Sequence, residues 1–317
     1  MFNSKYKKIL LASSFMAATS SAFAGYEIDL TEDGEPLTED ASKFKIFANE
    51  TRFNTKYVHG DVMGFIEMDF WGGGGNEIVS NSAHPRIRHA FVKYKELTVG
   101  QTWSTFMNTS AIPESADFAG ATTGLVFIRQ GQIRYNMGNF QVAIENPESW
   151  GGDTANDSVP DVIARYNIEG DWGSISVSGL ARQLNTSLGN SESAFGASIA
   201  GRINTTGKDD IRFQFHKGEL GRYVGVAAVK DLYGEEVEDL TSVLVAYRHF
   251  WTESLRSTVL YGKVEGDVSN RERTQWGVNL FQDLTKELTV GFEVGNFSLD
   301  ELDKNSNYIQ ATMRYAL

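Results

Sequence analysis

From residue 43 onward the chain breaks into runs of roughly ten residues in which apolar and polar positions alternate with a period of two. In 61–71, Val62, Gly64, Ile66, Met68 and Phe70 share one face, while Glu67 and Asp69 take the other. In 209–216, Ile211, Phe213 and Phe215 alternate with Arg212, Gln214 and His216. The same reading gives strands at 271–281 and 286–295, and a last one ending at Leu317. Further strands are expected at 43–57, 84–95, 97–103, 127–136, 139–146, 160–168, 172–183, 193–204, 240–251 and 254–264. The phase within 43–57 changes between Ala48 and Phe53, which predicts a bulge. No long segment carries the helical period.

The connections between these runs sort into two kinds. Short ones fall at Lys95-Glu96, Asn136–Asn139, Gly170-Asp171, Thr206-Gly207, Trp251–Glu253 and Asp283–Lys286, and long ones at 72–83, 104–126, 146–159, 184–192 and 296–306. Short turns on one rim and long loops on the other are the habit of transmembrane barrels. With both termini on the short-turn side the strand number is even. Parity then places Arg222–Lys230 inside a long loop, 217–239, and requires a strand before residue 43, for which Tyr26–Leu30 is the candidate. The expected fold is therefore all-β: a transmembrane antiparallel β-barrel of 16 strands, residues 25–317.

The first 24 residues do not join this pattern. Lys5, Lys7 and Lys8 precede the apolar stretch Ile9–Ala18, and Ala22-Phe23-Ala24 offers small residues for cleavage. That is the anatomy of a secretory signal peptide, assigned to 1–24. No later apolar run is long enough for a membrane helix, whereas a barrel strand needs only about 9–11 residues. Aromatics near many strand ends suit the girdles at the two membrane interfaces. The expected location is the outer membrane, in contact with its lipid and lipopolysaccharide.

Composition narrows the function. The 317 residues hold no Cys, so neither disulfides nor thiolate metal sites are available. A formal charge of -12 argues against a nucleic-acid partner, and 12% aromatics against disorder. By strand phase, Arg52, Arg88, Arg134, Arg165, Arg182, Arg202, Arg212, Arg248, Arg256, Arg273 and Arg314 point inward, with Gln130 and Gln132 beside Arg134. Guanidinium stays charged and offers a fork of donors that matches a carboxylate. Such a wall favours anions, unless the arginines are consumed by Glu67, Asp69, Glu145 or Glu293. His84, His89 and His249 lack metal-like spacing. His89 and His249 fall on the apolar phase, at a girdle or a subunit interface. Gly72–Gly75 lacks the Lys-Ser/Thr end of a phosphate loop. Ser104, Ser110 and Asp117 have no histidine with which to form a triad. Glu235–Asp239 reads as a solvated acidic loop. Neither an enzyme nor a cofactor or metal site is expected.

The stretch IRHAFVKYKELTVGQTWSTFMNTSAIPESADFAG from Ile87, followed by IRQGQIRY from Ile128, resembles the DcaP-like porins of Gram-negative outer membranes. TRF at 51, IEMDF at 66, TGKDDI at 206, GRY at 221 and YRHFWTESLRSTVLYG at 247 extend the resemblance over residues 45–315. It implies a homotrimeric porin of 16 strands whose third extracellular loop, here 104–126, folds inward and narrows the channel. It also implies passive uptake of small hydrophilic anions, dicarboxylates in particular. Glu114 and Asp117 on that loop would then face the arginines. Lys93 and His89, nominally on the outward phase, point to a trimer contact through the early strands, because a charge facing lipid costs about 2–4 kcal/mol. The alternatives are a soluble exported ligand-binding β-sandwich and an outer-membrane barrel without a channel.

Overall fold

The computed structural model describes residues 13–25, 43–76, 78–116, 123–224 and 229–316. The strands are β1 (Ser13–Gly25), β2 (Lys43–Phe47), β3 (Arg52–His59), β4 (Val62–Asn76), β5 (Ser82–Tyr94), β6 (Leu97–Trp103), β7 (Arg129–Met137), β8 (Phe140–Glu145), β9 (Asp161–Gly170), β10 (Gly173–Asn185), β11 (Ser191–Asn204) and β12 (Asp210–Gly218). A four-residue helix, α1 (Gly221–Val224), and a small ribbon, β13 (Leu232–Tyr233) with β14 (Glu236–Val237), come next. The chain finishes with β15 (Leu240–Phe250), β16 (Leu255–Gly266), β17 (Glu272–Asp283), β18 (Leu288–Leu299) and β19 (Lys304–Ala316).

Apart from the β13–β14 ribbon, the strands form one 17-stranded sheet in which the pairing is antiparallel throughout. From β3 to β12 and from β15 to β19 each strand pairs with the next, and β12 pairs with β15. β19 pairs with β1, and β1 pairs with both β2 and β3, so the ring closes. A closed sheet has no edge with unpaired backbone groups, which is the condition for crossing a bilayer with strands.

The two faces of this sheet are inverted relative to a water-soluble protein. Val99, Ile133, Ile144, Val177, Val259 and Ile309 are exposed on the outside. Their strand neighbours Thr98, Gln132, Ser176, Ser178, Thr258 and Gln310 are buried inside. A soluble sandwich would put the apolar phase in its core, so this arrangement excludes one and fits a barrel with a polar lumen.

β2 and β3 are two pieces of one path along β1, separated at 48–51 by a turn in which Thr51 N–H donates to the Ala48 carbonyl (3.0 Å). The phase change read between Ala48 and Phe53 lies there. A second irregularity was not legible. Glu67 is level with His89, but Met68 is level with Ile87, so Arg88 is the extra residue of a bulge. The bulge moves His89 and Lys93 to the phase of Glu67 and Met63, which faces inward. His89 accordingly contacts Thr102 Oγ1 through Nδ1 (3.0 Å) inside the wall. The outward-facing charge inferred at Lys93 and His89 is therefore corrected, and it no longer argues for a subunit contact.

One rim carries tight turns, two of them at Gly60 and Gly138 with φ of 56° and 60°, a region that glycine enters without steric cost. The other rim carries the long connections, including 104–128, 146–160 and 219–239. The slot next to β19 is filled by Ser13–Gly25, the second half of the stretch assigned to the leader and one residue beyond it. Tyr26–Leu30, expected there, lies outside the described residues, as does Asp117.

Candidate permeation site

The segment after β6 contacts the inner phase of strand after strand. Ser104 N–H donates to the Ile128 carbonyl (3.0 Å), closing its base. Asn108 Nδ2 donates to Ser176 Oγ (2.9 Å) and to the Ala200 carbonyl (3.0 Å). The Met107 carbonyl accepts from Arg165, that of Ile112 from Arg212, and that of Ser115 from Arg314. Ala116 N–H donates to Glu293 (2.8 Å). On the return, Thr123 N–H donates to Gln275 (2.9 Å), and the Gly124 carbonyl accepts from Ser242 (2.9 Å). Gly124 has a φ of 85° and lies so near Val243 that a Cβ would meet its carbonyl oxygen at 2.2 Å. Only glycine satisfies both conditions. Phe106, Met107, Ala111, Leu125 and Val126 are fully buried along this path.

The connection between β12 and β15 lies against the same path. Phe127 N–H donates to the Tyr223 carbonyl (3.2 Å), and the Tyr223 ring meets Phe106 edge-on at 5.7 Å. The Tyr223 hydroxyl donates to Asp161 (2.7 Å). Burial, followed by the neighbouring Asp161 carboxylate, holds this phenol well above its ordinary pKa, so it stays a donor.

The arginines read as pore-lining divide into distinct groups. Arg88 bridges Glu67 (2.8 Å) and Asp69 (3.0 Å). Arg182 is locked on Asp231 (2.6 Å) with Asp161 at 3.5 Å. Arg212 and Arg248 share Asp210. Arg256 grips Glu114 with two bonds of 2.8 Å and adds Asp283 at 2.8 Å. Arg273 pairs with Glu301. Arg314 stacks on Phe281, 4.7 Å from the ring centroid. Arg52 shares the field of Glu50, Glu67 and Asp69.

By contrast, Arg134, Arg165 and Arg202 form no ion pair among the described residues. Arg165 donates to Asn167 (2.7 Å) and to the Met107 carbonyl. Arg202 Nε is buried without a partner. The acid nearest in effect to Arg134 is Glu145, which is itself engaged by Thr105 N–H at 2.7 Å.

The glutamines separate as well. Gln132 donates to the Trp103 carbonyl (2.9 Å) and accepts from Thr105 (3.2 Å), so it holds the loop base and is not open to a solute. The Gln130 amide nitrogen is buried with no partner. Glu114, expected to oppose the arginines across a gap, is instead neutralised by Arg256, with Arg248 at 3.6 Å.

Sequence reasoning missed Arg86, which forks onto Asp69 (3.0 and 2.8 Å). It also missed Arg129, on the opposite phase from Gln130, stacked 4.5 Å from the Trp103 centroid. Charge on an apolar phase next to a tryptophan was the available signal for Arg129. Nothing local marks Asp210, Asp231 or Asp161 as partners. Among the described residues no cluster of acids and histidines could hold a metal ion.

The fold is shared with solved outer-membrane proteins. The outer membrane channel DcaP of Acinetobacter baumannii superposes with a TM-score of 0.81 at 22% identity, covering 96% of this chain and 97% of that one. An anion-selective porin from Comamonas acidovorans gives 0.65 at 12% identity over 98% and 100% of the two chains. Salmonella typhi OmpF, in complex with daunomycin, gives 0.66 at 13% identity over 96% and 97%. No protein of curated function matches the sequence significantly. A family profile described as DcaP outer membrane protein matches residues 49–275. Closed sheet, inverted faces and this match agree: the chain belongs to the DcaP family of outer membrane proteins.

Proposed function

We propose that the protein is a passive diffusion channel for small hydrophilic solutes that prefers anions, dicarboxylates among them. The observation that carries the reading is the set Arg134, Arg165 and Arg202. These three guanidinium groups stand on the inner phase of β7, β9 and β11 without a carboxylate in ion-pair reach among the described residues. A wetted lumen with uncompensated positive charge lowers the barrier for an anion, and forked donors orient its carboxylates. One solved structure of similar fold is an anion-selective porin, which agrees with this reading.

The finer architecture follows the same reading. Counting β2 and β3 as one interrupted strand gives 16 spans. The described parts of 104–126, residues 104–116 and 123–126, fold into the lumen and narrow it, supported by the contacts of Asn108, Ala116 and Thr123 with separate parts of the wall. Residues 1–24 are a leader removed on export, as Lys5, Lys7, Lys8 and Ala22-Phe23-Ala24 suggest. The slot beside β19 then passes to the residues that follow. The outer face of β3–β6 carries an apolar groove of about 330 Å³ around Gly64, lined by Tyr57, Ile66, Val92 and Val99. It suits packing between protomers in a homotrimer, and the rest of the apolar face suits lipid.

The test is single-channel recording in a salt gradient. The reversal potential is expected to take the sign of anion preference, and added dicarboxylates are expected to block the current from one side. A cation-selective channel would remove the reading.

A further inference from the structure

Besides the segment after β6, the connection between β12 and β15 packs into the same layer. Asp231 lies between β12 and β15, and its side chain is fully buried against that of Arg182 on β10. Arg182 Nη1 donates to it at 2.6 Å and Nη2 at 3.3 Å. The same carboxylate accepts from Trp150 N–H (3.1 Å), in the connection between β8 and β9, and from Arg222 N–H (3.0 Å) in α1. One side chain thus joins the barrel wall and two long loops.

The backbone repeats the link. Asp231 N–H and Leu232 N–H both donate to the Trp150 carbonyl, at 3.0 and 3.2 Å. Arg182 Nη2 also donates to the Glu148 carbonyl (2.6 Å). Tyr223, two residues from Gly221 where this loop enters α1, then carries the assembly onto Phe106 and Phe127 of the 104–128 path. The contact is fully apolar on one side and hydrogen-bonded to Asp161 on the other.

We infer that Asp231, with Arg182 and Tyr223, is a positioning group for the channel constriction: it fixes residues 219–224 and 229–239 as a second wall behind 104–116 and 123–128. Arg182 is therefore a strut and not an anion site. A bidentate guanidinium–carboxylate pair defines direction as well as distance, and removing the Asp231 charge leaves the buried Arg182 with only Asp161 at 3.5 Å. The inner loop then loses its backing while the outer face of the barrel is untouched. This inference rests on the channel reading given above.

The experiment compares three variants in planar bilayers after each has shown heat-modifiable migration. Asp231→Asn is expected to raise single-channel conductance roughly twofold and to add flickering substates, because a narrow pore responds to small changes in its radius. Tyr223→Phe keeps the ring against Phe106 and loses only the bond to Asp161, so a smaller change in the same direction is expected even if Asp231→Asn assembles poorly. Glu301→Gln breaks the pair with Arg273, which touches neither loop, and is expected to conduct as the unaltered protein does. If Asp231→Asn and Tyr223→Phe also conduct as the unaltered protein does, or if Glu301→Gln changes conductance as much as they do, the inference is overturned and the channel reading stands. If the unaltered protein forms no channel, the channel reading itself is what fails.

Discussion

The two sides of the lumen use the same residue type to opposite ends. On β7, β9 and β11, Arg134, Arg165 and Arg202 carry charge that no described carboxylate neutralises. From β12 to β17, Arg212, Arg248, Arg256 and Arg273 each reach an acid: Asp210 for the first two, Glu114 with Asp283 for the third, and Glu301 for the last. The first group lacks a counter-ion among the described residues, while in the second Arg212 reaches the segment after β6 through the Ile112 carbonyl, Arg248 and Arg256 reach it through Glu114, and Arg273 only holds Glu301. Counting inward arginines by strand phase therefore overstates the field. What matters is which of them have an acid within a few ångströms.

The largest effect should come from removing the uncompensated side. Arg134→Gln together with Arg165→Gln should lower the anion/cation permeability ratio by about fivefold. That corresponds to roughly 1 kcal/mol for a unit charge at 4 Å in water. Reversal potentials at moderate salt check this, and an unchanged ratio would erase the distinction between the two sides.

Arg256→Gln touches the fastened side. It leaves Glu114 with only Arg248 at 3.6 Å. The expected outcome is a less stable barrel, by about 1–3 kcal/mol for a lost charge-assisted pair in a half-buried place, with a smaller loss of anion preference. Denaturant midpoints read the first and reversal potentials the second. Glu114→Gln should raise the anion ratio by less than about twofold, since Arg256 retains Asp283 and Arg248 retains Asp210.

The two glutamines offer a finer comparison. Gln132→Ala should cost about 1 kcal/mol of stability by freeing the Trp103 carbonyl and Thr105. Gln130→Ala should leave stability nearly unchanged, since its buried amide nitrogen has no partner to lose, and denaturant midpoints compare the two.

The smallest effect lies at the short-turn rim. Asp209 accepts from Phe250 N–H (2.8 Å), His249 (2.7 Å) and Tyr247 (2.8 Å), and these bonds lower its pKa to about 2, the backbone bond first. A depressed carboxylate pKa stabilises the folded state above its unfolded value near 4, and this stabilisation fades as the pH falls toward 2. Asp209→Asn should flatten that acid limb in an assay of barrel integrity against pH, and leave neutral behaviour nearly unaltered.

The strand order was legible because lipid and water impose opposite demands on alternate residues. The run expected at 97–103 is β6 itself, Leu97–Trp103. The loop at 217–239, placed by parity alone, is likewise the connection from β12 to β15. Partners were not legible, because alternation gives a side chain its face and never its neighbour. Arg256 meets Glu114 across 142 positions, and Arg182 meets Asp231 across 49. The bulge at Arg88 was hidden for a related reason: one extra residue in β5 is apparent only against the register of β4. Arg134 differs in that no such distant acid forms an ion pair with it among the described residues.

The pairing of β1 with β19 sets Ala17 opposite Ala316, nearly the whole chain apart. Whatever segment fills that slot, the seam joins the two ends of the sheet and is its pairing of greatest sequence separation. Contacts of such long sequence separation make folding slow, and the partly formed sheet carries two open edges throughout. Assembly therefore depends on something holding those edges apart from other chains until the last strand arrives. Substitutions near the seam, at Arg314 or Arg52 for instance, should act first on the yield of assembled protein and only afterwards on the current it carries.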